Sequence, residues 1–252
     1  MPNTWFMRPV PSRIALFSPD PFDAGKVLTL AEDAANHLRV VRASLGDTVD
    51  LRDGRGAVGS GTIARMARGS VTIDVMETAM AEPLPPIHLM APIGDRDRML
   101  WLAEKATEIG VTSWRPVLWK RSKSVSPRGE GTMFMGKLRA RMVAALLQSR
   151  GAWLPEVHPD APPDRAIAAA SPGVRILLDA AGSPILSAAL SSPVTIALGP
   201  EGGIEAEEKA AFVESGFSLV TLGSTTLRFE TAGVAAAAIA RASTSHSTDT
   251  HV

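Results

Sequence analysis

The stretch Val194-Thr-Ile-Ala-Leu-Gly-Pro-Glu-Gly-Gly203, followed by Glu205-Ala-Glu-Glu208, constrains this chain more than any other. Its first residues read as a strand buried on both faces, the kind found in parallel sheets covered by helices. The strand runs into a glycine-rich turn and then a helix whose first turn is acidic. Backbone N–H groups converge at such a turn, and glycine lets a ligand approach them closely. Phosphate is a poor candidate for that ligand. Three glutamates beside the turn would repel an anion, and the loop matches neither GxxxxGK[ST] nor GxGxxG. A neutral or cationic nucleotide-like cofactor fits better, while the same spacing also suits an ordinary strand-to-helix turn with dipole-matching carboxylates.

A second loop, Leu222-Gly-Ser-Thr-Thr-Leu-Arg-Phe-Glu-Thr231, follows one helix and one strand later and opens an alanine-rich helix. Arg228 and Glu230 lie just before the predicted helix start, with Thr231 as its N-cap. Taken singly, Arg228 and Glu230 would be a surface ion pair. Both loops, however, are expected at the C-terminal edge of one parallel sheet, where open α/β sheets hold their ligands. Strands predicted at 87–91, 113–118, 175–178, 194–198 and 219–222 alternate with helices at 98–109, 135–148, 205–214 and 232–242, which is α/β grammar.

The first 80 residues follow different rules. Short β-type runs at 48–52, 59–64 and 70–75 are separated by Gly46-Asp47, Asp53-Gly54 and Arg68-Gly69 turns, and one helix is expected at 31–42. That spacing predicts a small β-barrel-like domain over 1–80, joined by the stiff connector Glu82-Pro-Leu-Pro-Pro86 to an α/β domain over 81–243. A disordered tail is expected over 244–252.

Composition removes several function classes. The chain of 252 residues has no cysteine, hence no disulfide or thiolate nucleophile, and its five histidines form no HExxH pattern, so no metal is expected. The longest apolar run, Val234 to Ala240, is far short of the roughly 20 residues needed to cross a bilayer, so a cytoplasmic protein without membrane partners is expected. Net charge is zero, yet residues 81–151 carry twelve Lys and Arg against six Asp and Glu, while 152–252 carry five against eleven. Such asymmetry permits a local phosphate-binding face on a neutral protein, although a solvated helix surface explains it equally well. On the helix at 98–109, Met99, Leu102, Ala106 and Ile109 form a core stripe. Glu104 and Glu108 there form an i,i+4 like-charge pair that needs a cation such as Lys105.

Gly199-Pro-Glu-Gly-Gly203, Leu222-Gly223, Leu227-Arg228 and Glu230-Thr231-Ala232 together resemble the C-terminal signature of the SPOUT methyltransferases of the RsmE type. Upstream, Gly94-Asp-Arg followed by Met99, and Glu104-Lys105-Ala-Thr107-Glu108-Ile-Gly110-Val, resemble that family's first helix. His37-Leu38-Arg39-Val-Val-Arg42 and the early turns resemble its PUA-like RNA-binding domain, while Ile93, Leu147 and Ser224-Thr225-Thr226 depart from the pattern. The resemblance implies an α/β fold with an N-terminal PUA-like β-barrel domain and a C-terminal SPOUT-type domain containing a trefoil knot. It also implies a homodimer and S-adenosyl-L-methionine as cofactor. The implied activity is methylation of N3 of a uridine in 16S ribosomal RNA, within the small ribosomal subunit.

Under that resemblance, Leu198, Gly199, Pro200, Gly202, Gly203, Leu222, Gly223 and Leu227 hold the cofactor. Arg228 stabilises charge developing on the uridine, and Glu201 or Glu230, or a water, takes the N3 proton. Arg39, Arg42, Arg96 and Arg121 are the expected RNA contacts. Two other readings stay open at this level: a catalytically silent RNA-binding or ribosome-assembly protein on the same fold, and an NTP-dependent enzyme, which the missing P-loop lysine disfavours.

Overall fold

Strict alternation in Val71-Thr-Ile-Asp-Val75 buries Val71, Ile73 and Val75 and leaves Asp74 in solvent, and this period of two organises the N-terminal part of the protein. A computed structural model describes residues 14–122 and 131–245. Two units divide the chain after Glu82, with Arg150–Trp153 counted in the first. The first contains β1 (Ala15–Phe17), β2 (Val27–Leu30), α1 (Glu32–Val40), β3 (Thr48–Arg52), β4 (Ala57–Met66) and β5 (Val71–Met80). Its mixed sheet has the order β1-β3-β4-β5-β2, with β1 parallel to β3 and the other pairs antiparallel.

Leu16, Leu38, Val49, Leu51, Ile63 and Ile73 fill this core, and α1 faces it with Ala35 and Leu38. The expected Asp53-Gly54 turn joins β3 to β4. Asp53 Oδ1 accepts the N–H of Arg55 at 2.7 Å and of Ala57 at 2.9 Å. The segment Arg150–Trp153 closes the same end: Gly56 N donates to Ala152 O at 2.9 Å and Trp153 Nε1 to Ala81 O at 3.3 Å. Nothing in the sequence pointed to that contribution. The strands β1 and β2, three and four residues long, were also missed because they are too short to show a period.

The second unit contains β6 (Ile87–Pro92), α2 (Arg96–Ile109), β7 (Ser113–Val117), α3 (Gly131–Ser149), β8 (Glu156–Val157), α4 (Pro163–Ala168), β9 (Val174–Pro184), β10 (Val194–Ala197), α5 (Ala206–Glu214), β11 (Ser218–Thr221) and α6 (Phe229–Ser245). All its strand pairs are parallel, in the order β11-β9-β10-β6-β7-β8. Ile196 stands in register with Leu89 and Ile176, and Ala197 with Met90 and Leu177. The first row packs with Leu102 of α2, Leu138 of α3 and Ala236 of α6; the second with Ala166 of α4 and Phe212 of α5. The strand β10 is therefore buried on both faces, as its continuous apolar run predicts. On α2, Lys105 Nζ bonds Glu104 at 2.9 Å and Glu108 at 2.8 Å, which supplies the cation that this like-charge pair needs.

The last helix extends beyond the sequence expectation at both ends. The helix α6 begins at Phe229, so Thr231 lies inside its first turn and is not its N-cap. It also continues through Ser245, with Thr244 buried and its Oγ1 donating to Ala240 O at 2.9 Å. Of the expected tail, residues 244 and 245 are thus helical, and 246–252 lie outside the described residues.

Arg241 joins the last helix to the start of the unit. Its Nε donates to Ile109 O at 3.2 Å, Nη1 to Pro85 O at 2.7 Å, and Nη2 to Gly110 O at 2.6 Å. Ile109 and Gly110 close α2, where carbonyls have no helical partner. Replacing the guanidinium leaves three carbonyls short of a charged donor, so Arg241→Ala is expected to lower unfolding free energy by about 2–4 kcal/mol. Arg241→Lys should recover less than half, because one ammonium cannot reproduce the planar fork. Urea unfolding at unchanged m-value measures both.

Candidate active site

The C-terminal edge of the parallel sheet carries a cleft, and a slip in strand pairing creates part of it. Leu219 of β11 pairs with Leu177 of β9, but the next residue, Val220, pairs with Ser183. Residues 178–182 of β9 have no partner in β11, a bulge in the ladder, and Leu178, Asp179 and Ala180 from this stretch line the cleft wall. The turn after β10 and the loop from β11 to α6 form the other walls. The enclosed volume is about 310 Å³, within the usual range for small-ligand sites.

Of the expected cofactor residues, Leu198, Gly199, Pro200, Gly203, Leu222, Gly223 and Leu227 all border this cleft. Gly202 instead borders a small adjoining recess formed with Pro92, Ile93, Gly94, Arg121, Glu201 and Phe229. Gly199 is required by close approach, since a Cβ there would stand 2.5 Å from Ile204 Cγ1. The wall is mainly apolar and backbone, and its charged residues are Asp179 and Glu201, with no cation among them.

The glutamates after the turn do not face the cleft, which corrects the argument from anion repulsion. Glu205 binds Arg121 Nε at 2.5 Å, and Glu207 is ion-paired with Lys120 Nζ. Glu208, buried, accepts from Lys120 N at 2.8 Å and from Glu205 N at 3.1 Å, completing a capping box at the start of α5. These carboxylates fasten the segment after β7 onto α5. The preference against an anion survives for a different reason, the two carboxylates on the cleft wall.

The group that organises the site is Arg98, which sequence reasoning overlooked in favour of Arg96. Asp95 caps α2, its Oδ1 accepting the N–H of Arg98 at 3.1 Å, and so fixes the first turn. Gly94 allows the Phe229 ring to pack closely, since a Cβ there would be 2.9 Å from it, and this sets the start of α6 against the start of α2. The Arg98 guanidinium then ion-pairs with Glu201, and its Nε lies 3.8 Å from Glu230 Oε1. Glu230 is buried, and its Oε2 has no hydrogen-bond partner among the described residues. The available signal was helical phase: Arg98 stands four and eight residues before Leu102 and Ala106, both fully buried.

Other expected residues fall as follows. Arg228 is exposed, and among the described residues no ion pair joins it to Glu230, whose cationic neighbour is Arg98. Arg96 is exposed at the start of α2. Arg121 is about half exposed, with its Nη1 donating to Gly202 O at 3.3 Å as well as its Nε bonding Glu205. Arg39 and Arg42 lie exposed in the first unit. Arg39 Nη2 donates to Arg68 O at 3.0 Å, and Arg42 has φ 57° just beyond α1. Among the described residues, no group of three or more His, Asp or Glu is placed to hold a metal ion.

Comparison with known proteins adds family information. Residues 81–241 match the model of an RNA methyltransferase domain, and 30–76 that of an RNA methyltransferase PUA domain. Ribosomal RNA small subunit methyltransferase E of Mycobacterium bovis is 28% identical over 226 residues, which are 85% of this chain and 86% of that protein. A probable rRNA-methyltransferase from Porphyromonas gingivalis has a crystal structure that superposes with TM-score 0.80 at 26% identity, covering 93% of this chain and 99% of that one. The fold is also that of Ribosomal RNA small subunit methyltransferase E from Neisseria gonorrhoeae bound to S-adenosyl methionine. There the TM-score is 0.81 at 23% identity, over 91% and 97% of the two chains.

The Arg98 arrangement makes a prediction about stability. Arg98→Met leaves Glu201 and Glu230 without their shared cation and is expected to cost about 2 kcal/mol of unfolding free energy. Adding Glu230→Gln should return about half of that, because a buried amide needs no counter-charge. Urea unfolding of the two single variants and the double variant gives the coupling.

Proposed function

The chain belongs to the RNA methyltransferase family, and from that premise we propose that it transfers a methyl group from S-adenosylmethionine to N3 of a uridine in 16S ribosomal RNA. The observation that carries the chemistry is the cleft at the sheet edge, whose lining carries carboxylates and no cation. A sulfonium cofactor suits such a donor set, whereas a nucleoside triphosphate does not.

When bound, S-adenosylmethionine supplies an electrophilic methyl group for in-line displacement. The protein's part is to align donor and acceptor and to keep water out. Backbone groups of Leu198, Gly199, Pro200, Gly203, Leu222, Gly223 and Leu227 hold the cofactor, while Gly202 shapes the turn from outside. Uridine N3 must lose its proton as the bond to carbon forms. Glu201, on the cleft wall, is the acceptor in this reading. Glu230 borders neither the cleft nor the recess and acts through Arg98 to keep Glu201 in place. Arg228 stabilises the negative charge that spreads over N3 and the flanking carbonyl oxygens. Its position at the start of α6 adds the positive end of the helix dipole.

In this reading residues 1–80 form the RNA-binding domain and 81–243 the catalytic domain. Arg39, Arg42, Arg96 and Arg121 meet RNA phosphates, which would position the substrate without reading its sequence. The enzyme works as a homodimer, in the cytoplasm, on the small ribosomal subunit, and the cleft loops belong to a knotted part of the chain. No helix among the described residues is long and apolar enough to cross a membrane.

Mass mapping of small-subunit RNA from a deletion strain, before and after treatment with the purified protein, tests the reaction. A single methyl on uridine N3 is expected, and a methyl on ribose or on carbon would refute the substrate assignment. Arg228→Ala should slow the methyl-transfer step by about 10²–10³ in single-turnover assays while S-adenosylmethionine affinity changes little, because that donor acts chiefly in the transition state.

A further inference from the structure

Asp179 stands on the cleft wall, within the stretch 178–182 that the register slip between β9 and β11 leaves without a partner in β11. Its side chain is 13% exposed, and both oxygens have partners: Lys209 Nζ lies 2.5 Å from Oδ2, and Ala181 N donates to Oδ1 at 2.9 Å. Burial pushes the Asp179 carboxyl up, but Lys209 and the Ala181 N–H outweigh it and hold it below the ordinary aspartate value. The carboxylate therefore stays ionised at neutral pH. Lys209 is on α5 and does not border the cleft. Glu201 repeats the arrangement with Arg98 behind it. Each carboxylate on the wall thus pairs with a cation that does not itself border the cleft, which lowers the cost of burying the charge and leaves the carboxylates as the charged groups of the wall.

We infer that Asp179 is a specificity-determining residue of the cofactor site, favouring the cationic sulfonium donor over the neutral thioether left after methyl transfer. The inference rests on the reading of this cleft as the S-adenosylmethionine site. Donor and product share the adenosine and amino-acid portions and differ by one methyl group and the sulfonium charge. Apolar contacts and backbone hydrogen bonds treat the two alike, whereas an ionised carboxylate does not. After transfer the attraction disappears with the charge, so the same residue promotes exchange of product for fresh donor.

Isothermal titration of the full chain with S-adenosylmethionine and with S-adenosylhomocysteine tests this without any RNA. In Asp179→Asn, which keeps the shape and the acceptor for Ala181 N–H, affinity for the donor should fall about tenfold while affinity for the product changes less than threefold. Lys209→Gln removes the opposing cation and should shift the ratio the other way, in favour of the donor. Equal losses for both ligands in Asp179→Asn, or an unchanged ratio in both variants, would overturn the assignment. Should Asp179→Asn not fold, an unchanged ratio in Lys209→Gln alone overturns it. Failure of the unaltered protein to bind either ligand would refute the methyltransferase reading itself, a different outcome from normal binding with an unaltered ratio.

Discussion

The contact between Arg98 and two carboxylates is the constraint on which the candidate site depends. Glu201 belongs to the turn after β10, Glu230 to the first turn of α6, and Arg98 to the first turn of α2, so one guanidinium ties together three elements that are far apart in the chain. Two carboxylates in such partly buried surroundings would repel each other and lose hydration without a shared cation. Neighbouring packing serves the same end. The Phe229 ring against Gly94 brings α6 to α2, and Asp95 fixes the turn from which Arg98 extends.

The acidic residues around the glycine-rich turn divide into two groups with different tasks. Glu205, Glu207 and Glu208 bind Arg121, Lys120 and backbone N–H groups, which secures the segment after β7 to α5. Asp179 and Glu201 border the cleft and are balanced by Lys209 and Arg98, neither of which borders it. A reading by proximity in sequence assigns the first group to the ligand, because those residues follow the turn directly. Side-chain direction reverses that assignment: the start of α5 points its carboxylates toward the loop after β7.

The parts of this protein that could be read from sequence are those set by local period or local turn chemistry. The continuous apolar run of β10, the alternation of β5 and the glycine turn after Leu198 each carry their signal within ten residues, and each lies where it was expected. Asp179 had no such signal. It reaches the cleft through a register slip between β9 and β11, and pairing register with a strand forty residues away is invisible in either segment alone. Arg98 and Arg96 are both arginines in the first turn of one helix; helical phase sets Arg98 above Leu102 and Ala106, but its meeting with Glu230 depends on where α6 lies. The segment Arg150–Trp153 was illegible for the same reason, since its partners Gly56 and Ala81 are distant in the chain.

These placements also decide which guanidinium is free to take part in chemistry. A donor that is to stabilise charge appearing only in the transition state must not already be neutralised in the ground state. Arg98 is committed to Glu201 and Glu230, and Arg121 to Glu205 and the Gly202 carbonyl. Releasing Arg98 would cost a partly buried ion pair at the moment of reaction, and releasing Arg121 would undo its bonds to Glu205 and to the Gly202 carbonyl. Arg228 is exposed at the end of the loop that forms one wall of the cleft, and no ion pair engages it among the described residues. Its donors can therefore turn to an incoming base without first breaking a contact. The ion-paired arginines hold the cleft in shape, and that fixed frame is what allows an unpaired arginine at its rim to be effective.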